Sequence, residues 1–148
     1  VVAVDGSEEM LAAARERTHG LGNVALHLGD LERLPLADGV LDVATLSLAL
    51  HYVPDPSRAV AEAARVLRPG GRLVVLDMMP HERDDLQQRM GHVWRGFSEA
   101  QVREWYTMAG LEQARYVPLP PDQSARGPGL FVSSACKGAP GAPGARGV

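Results

Sequence analysis

The sequence predicts an α/β domain built on a largely parallel sheet with helices on both faces. Short apolar runs, "VVAVD", "NVALHL", "VLDVATL" and "RLVVLDM", lack polar alternation, as strands buried on both faces do. Segments with helical periodicity and recognisable caps lie between several of them, and strands alternating with helices form parallel sheets. The last two apolar runs, "EQARYVPL" and "LFVSSACK", flank a Pro/Gly-rich loop and predict an antiparallel strand pair.

Residues 1–5 are the first strand. Ser7 caps the helix that follows, with Glu8 and Glu9 in its first turn, where acidic groups favour the helix dipole. This helix runs to about Arg17, and Gly20 and Gly22 break it. Residues 23–28 form the second strand, ending at Gly29-Asp30, and "LERLPLADG" connects it to a third strand over 40–46. In "PDPSRAVAEAARVLRPGG", Asp55 is the N-cap and Pro56 sits at N1, where its missing N–H costs nothing. Val60, Ala63, Ala64 and Leu67 make the buried stripe, and Pro69-Gly70-Gly71 stops the helix before a fourth strand over 72–78. A polar helix is expected over about 81–94. Another follows, with Ser98 and Gln101 in capping-box spacing, Val102, Trp105 and Ala109 on its buried face, and Gly110 at its end.

Composition narrows the function. A net charge of −3 over 148 residues provides no basic field for nucleic acid. The single cysteine, Cys136, makes neither a disulfide framework nor a thiolate cluster and fits a reducing cytoplasm. No apolar run approaches the ~20 residues of a membrane span, and no signal peptide is visible. Residues 1–137 are expected to hold the domain. Residues 138–148, rich in Gly, Ala and Pro, are expected to form a disordered tail. An opening strand without an initiator Met suggests a fragment.

In open parallel sheets, ligands sit beyond the carboxyl ends of the strands, which here are Asp5, Gly29-Asp30, Leu46-Ser47 and Asp77. A carboxylate at Asp5 can accept from both hydroxyls of a ribose, or it can cap the next helix. Asp30 can accept from an exocyclic amine such as that of adenine, or it is a turn residue. Met10 can lie against a flat ring or fill the core. The residues alone leave each of these alternatives open.

The order "VVAVDGSEEML…GDLERLPLADGVLDVATLSLALHYVPDPSRAVAEAARVLRPGGRLVVLDMMP" resembles the class I S-adenosylmethionine-dependent methyltransferases, especially the ubiquinone/menaquinone-biosynthesis branch, over about residues 1–111. The segment "PHERDDLQQRMGHVWRGFSEAQ" is similar to methyltransferase domains fused to ArsR-type regulators, so a DNA-binding domain outside this chain is an option. The resemblance implies a Rossmann-like sheet and S-adenosylmethionine as cofactor. It also implies that Asp5 holds the ribose, Gly6 or Met10 touches adenine, Asp30 and Leu31 bind the adenine edge, and Leu46, Ser47 and His51 line the methionine and acceptor side. The family's first strand and glycine-rich loop have no counterpart in this chain. The strand missing from the usual order is central, so "VVAVD" and "LDVATL" must either pair directly or leave a gap. The expectation is that the isolated chain binds the cofactor poorly.

The implied reaction is methyl transfer to a small-molecule acceptor, with a non-catalytic S-adenosylmethionine-binding domain of a transcriptional regulator as the alternative. An NAD-dependent oxidoreductase would also use Asp5, but not the "GDLERLPLADG" and "RPGG" pieces. A protonated acceptor needs a base. His51 is the candidate, against a structural histidine near a helix end, and Tyr52 is a weaker candidate, against a packing residue. His81, Asp85, Gln88 and His92 fall on one face of the expected helix, either lining the acceptor entrance or forming a solvated face. Eleven residues span ~16 Å of helix, so one metal ion cannot take both histidines and no metal is expected. Arsenic chemistry is set aside because Cys136 stands alone.

Overall fold

The computed structural model describes residues 1–120 and 127–139. The tail beyond residue 139 and the centre of the loop between the last two strands therefore lie outside the described residues. The elements are β1 (Val2–Asp5), α1 (Glu8–Arg17), β2 (Ala25–Leu28), β3 (Leu41–Ser47), a 3-10 turn (Leu50–Tyr52), α2 (Pro56–Val66), β4 (Leu67–Met78), α3 (Asp84–Met90), α4 (Glu99–Met108), β5 (Leu111–Pro118) and β6 (Leu130–Lys137). Among the described residues, no helix is long and apolar enough to cross a membrane.

The strands form two sheets. β1 and β2 pair in parallel, while β3, β4, β6 and β5 form a second sheet in that order. β3 and β4 are parallel, and β6 runs antiparallel to both β4 and β5. The expected C-terminal antiparallel pair is present. Of the two options for the missing central strand, the chain takes the gap: β1 and β3 do not pair, and each presents a free edge.

This split overturns the expectation that every strand is buried on both faces. Val2 and Val43 are exposed, and β2 is largely exposed. Burial concentrates around β4, which has a neighbour on each side. Leu67, Leu73 and Val75 of β4 pack with Val60, Ala63 and Ala64 of α2, Val102 and Tyr106 of α4, and Phe97, Phe131 and Ala135. Tyr106 was not foreseen in the buried stripe of α4. Its hydroxyl lies 2.6 Å from Ser133 Oγ in the core, and burial pushes its pKa up to about 12.

Local signals set the helix starts. Asp55 accepts from Arg58 N at 3.1 Å with Pro56 as the first residue of α2, and Ser98 and Gln101 form the capping box of α4. The end of α2 differs from expectation. The helix stops at Val66, and "RPGG" belongs to β4 as an irregularity in its pairing with β3, between the pairs Leu41–Leu67 and Val43–Arg72. Gly70 has φ +76° there, and a Cβ on Gly71 would lie 2.8 Å from the Arg68 carbonyl oxygen. Both positions therefore require glycine. Lys137 Nζ donates to the carbonyls of Leu67 (2.7 Å) and Arg65 (3.2 Å), closing the helix end.

Arg65 ties the β2–β3 connection to α2. Its guanidinium donates to Glu62 through Nε and Nη2 (both 2.8 Å) and to Asp38 Oδ1 at 2.6 Å. It also donates to the carbonyls of Leu36 (2.9 Å) and Leu34 (3.2 Å). Glu62 in turn accepts from Leu34 N at 2.9 Å. The Arg65 hydrogen bonds hold the Glu62 carboxyl below its ordinary pKa. This knot joins "LERLPLADG" to "ARVLRPGG". Arg65→Ala should lower the unfolding free energy by about 1–2 kcal/mol, because the bonds are charge-assisted but partly exposed. Arg65→Lys should recover less than half of that, lacking the planar fork. Urea unfolding of the two variants checks both.

Candidate functional site

The carboxyl ends of β1, β2 and β3 open onto one groove. It occupies about 1560 Å³ and is lined by residues of all three strands, including Asp5, Gly6, Met10, Asp30, Leu31, Leu46 and Ser47. Every residue proposed from the sequence to touch the cofactor thus lies on the same groove. Its volume exceeds the roughly 300–1,000 Å³ of ordinary ligand pockets, because it continues between the free edges of β1 and β3.

Each acidic strand end is built in the same way. Asp5 Oδ1 accepts from Ser7 N at 2.8 Å, and Asp30 Oδ1 accepts from Glu32 N at 2.8 Å. These turns aim two carboxylates into the groove while the helix cap itself falls to Ser7, which accepts from Met10 N. Met10 is 59% exposed, so it is not core filler. Gly29 allows the close approach of the strand ends. Its N–H donates to the Asp5 carbonyl at 3.0 Å, and a Cβ there would lie 2.8 Å from Pro35 Cδ and 2.9 Å from Val4 Cγ1. Gly6 is under no such demand, since a Cβ would meet only the Gly29 carbonyl at 3.7 Å.

Beyond β3 the chain turns sharply. Leu48 adopts φ +50°, an uncommon conformation for a non-glycine residue, and its N–H donates to the Leu76 carbonyl at 2.8 Å. The 3-10 turn follows. Tyr52 lines the groove and is 44% exposed, whereas His51, its ring centroid 4.2 Å from that of Tyr52, is 1% exposed and does not line the groove. His51 Nδ1 lies 2.8 Å from Asp77 Oδ1, at the end of β4. Asp77 is fully buried and also accepts from Leu50 N (3.0 Å) and Met78 N (2.8 Å). A carboxylate surrounded by donors selects the His51 tautomer that carries its proton on Nδ1, leaving Nε2 as the basic nitrogen. The sequence marked Asp77 as a strand end but assigned it no role. The pair spans 26 positions, with no local pattern to link them.

The polar stripe over 81–94 is corrected. α3 covers only Asp84–Met90, so His81 precedes it and His92 follows it, past Gly91 with φ +71°. Neither option for the stripe describes His92, which is 5% exposed with its ring centroid 4.3 Å from that of His51 and 5.0 Å from that of Tyr52. Burial, then the neighbouring His51, lowers the pKa of His92, and burial, then Arg83, lowers that of His81. Among the described residues, no group of acidic, histidine or cysteine side chains is arranged to hold a metal ion.

A family model described as "Methyltransferase domain" matches residues 1–75, half of the chain. The chain belongs to that methyltransferase family. The domain is 51% identical over 76 residues to a demethylmenaquinone methyltransferase of Mycobacterium marinum, covering 51% of this chain and 31% of that protein. It is 32% identical over 122 residues to the uncharacterized methyltransferase YcgJ of Bacillus subtilis, covering 78% of this chain and 48% of that protein. Among solved structures, a SAM-dependent methyltransferase from Aquifex aeolicus superposes with a TM-score of 0.71 at 27% identity, covering 93% of this chain and 68% of that one. The methyltransferase domain described here spans less than half the length of these curated relatives. The Rossmann-like class I methyltransferase fold expected from the sequence is borne out.

Asp77→Asn should lower stability by about 2–3 kcal/mol, because an amide cannot accept from all three donors. Ring ¹⁵N NMR should then show His51 losing its Nδ1–H preference. Retention of both stability and tautomer would mean that Asp77 does not orient His51.

Proposed function

We propose that this chain supplies the adenosine side of an S-adenosylmethionine site and the base of an enzyme that methylates a small-molecule acceptor, acting in the cytoplasm. The observation that carries this reading is the convergence of Asp5, Asp30, Met10 and Ser47 on one groove.

The donor set fits the cofactor. Each carboxylate has one oxygen engaged by its own turn, which fixes its direction toward the groove. Asp5 would hold the ribose hydroxyls and Asp30 the adenine amine, with Leu31, Met10 and Gly6 available to the adenine and Leu46 and Ser47 to the methionine moiety. When bound, the cofactor supplies an electrophilic methyl group. The chain positions the reactants and excludes water. His51 is 1% exposed, so its Nε2 would take the acceptor's proton only when the residues packed over it move aside, and Asp77 would then stabilise the resulting imidazolium. Similarity to the Mycobacterium marinum demethylmenaquinone methyltransferase supports a small organic acceptor.

Calorimetric titration with S-adenosylhomocysteine tests the site. In the complete protein, Asp5→Ala should weaken binding by about 2–4 kcal/mol, the value of hydrogen bonds to a charged acceptor. Unchanged affinity would leave Asp5 as only a turn residue. Binding without turnover of radiolabelled methyl into any extract small molecule would instead favour the non-catalytic alternative.

A further inference from the structure

The segment 79–97 crosses the carboxyl end of β4 and lies over the 3-10 turn. Its second arm, 91–97, is tied down by Val93 N and Trp94 N, which both donate to the His51 carbonyl (2.8 and 3.1 Å). Trp94 Nε1 donates to the Val53 carbonyl at 2.9 Å, and Phe97 N to the Met78 carbonyl at 2.9 Å. Its first arm, 79–83, is joined to the second by His81 N donating to the Arg95 carbonyl at 3.0 Å. Glycines with positive φ mark the bends, Gly91 at +71° and Gly96 at +77°. Gly96 lies so close to the Met79 carbonyl that a Cβ would collide with it.

Beneath these arms, polar atoms are left unpaired. His92 Nδ1 and Nε2 and His81 Nε2 are buried with no hydrogen-bond partner. His81 Nδ1 accepts from Arg83 N at 3.1 Å, so in a neutral ring the unpartnered Nε2 carries the proton. An imidazole with both nitrogens dry gives up hydrogen bonds that water would provide. Lifting the arms would hydrate all of them.

We propose that segment 79–97 is an acid-released cover, whose arms stay down over His51 only while His81 and His92 are neutral. The charged and titratable groups around them support this. From the 3-10 turn, His51 and Tyr52 face His92. From β4, Asp77 is the nearby carboxylate, and its oxygens are occupied by Leu50, His51 and Met78. On the cover itself, Arg83 pairs with Asp85 and Arg95 with Asp84. A proton on His81 or His92 would therefore add charge to a buried site that already holds another histidine, while Asp77, Asp84 and Asp85 are already engaged by other partners.

The direction of the pH effect follows. Both histidines are held below their ordinary value of 6.5 with the cover down. The lifted state therefore binds more protons, and closure is complete above that value and lost as pH falls below it. The opening constant should rise up to about tenfold per pH unit for each histidine that takes up a proton. Acid thereby removes the shield from His51 and admits water to the base. This inference concerns the chain's own conformation and holds whichever acceptor is methylated.

Amide exchange by NMR on the ¹⁵N-labelled chain tests it, read as protection factors from about pH 7.5 to about pH 5.5. Protection at Val93 and Trp94 should fall about tenfold or more, while protection at Leu73 and Val75 in β4 stays constant. In the double variant His81→Gln/His92→Asn, protection at Val93 and Trp94 should not follow pH. Constant protection in the wild type, or an equal loss in a folded double variant, would overturn the cover. If the double variant does not fold, ring ¹⁵N titration of the wild type decides. His81 and His92 titrating in step with the loss of protection supports the proposal, and their titration with Val93 and Trp94 still protected overturns it.

Discussion

The buried carboxylate of Asp77 organises the carboxyl end of the sheet. A charge with no exposure must be satisfied by donors, and the chain brings them from two directions. Met78 N comes from its own strand, while Leu50 N and the His51 ring come from the 3-10 turn. Satisfying Asp77 therefore fixes the turn against β4. The turn then presents the His51 carbonyl, on which Val93 and Trp94 are anchored. The positions of His51, of Tyr52 on the groove wall and of segment 79–97 all descend from this one carboxylate.

A second knot lies at the opposite end of α2. Arg65 binds Leu34, Leu36 and Asp38 in the connection that follows β2, so the chain beyond Asp30 and Leu31 is tied to a helix packed on the other sheet. Asp55 N also donates to Glu32 Oε1 at 2.9 Å, a further tie between the same two regions. These contacts explain physically why "LERLPLADG" and "ARVLRPGG" occur together, since each contains groups the other must satisfy. They also tie the chain that follows β2 to the helix packed on the other sheet, although the two sheets share no strand pairing.

Local chemistry made much of this legible in the sequence. Ser7, Asp55 with Pro56, and Ser98 with Gln101 mark helix starts because their partners lie within a few residues. The groove residues were legible because parallel strands bring their carboxyl ends to one side, so finding the strands found the groove. Features set by distant partners were not legible. The polar pattern of 81–94 suits a helix, but burial of His92 and Trp94 against the 3-10 turn draws the chain out of helix after Met90. Apolar β1 reads as a buried strand, yet burial depends on neighbours and β1 has only β2. His51 was selected for its place after β3. Its contact with Asp77 and its near-complete burial are tertiary facts.

The free edges of β1 and β3 bear on how the chain behaves in company. An unpaired edge displays a ladder of N–H and C=O groups that can pair with any extended segment, including one from another copy. Here the edges carry exposed valines, Val1, Val2 and Val43, which favour extended backbone. One charged residue on β3, Asp42, is paired with Arg68 at 2.7 Å, which mutes it as a deterrent. The chain alone is thus poised for edge-to-edge association that grows with concentration, and its solubility is governed by the same gap that widens its groove.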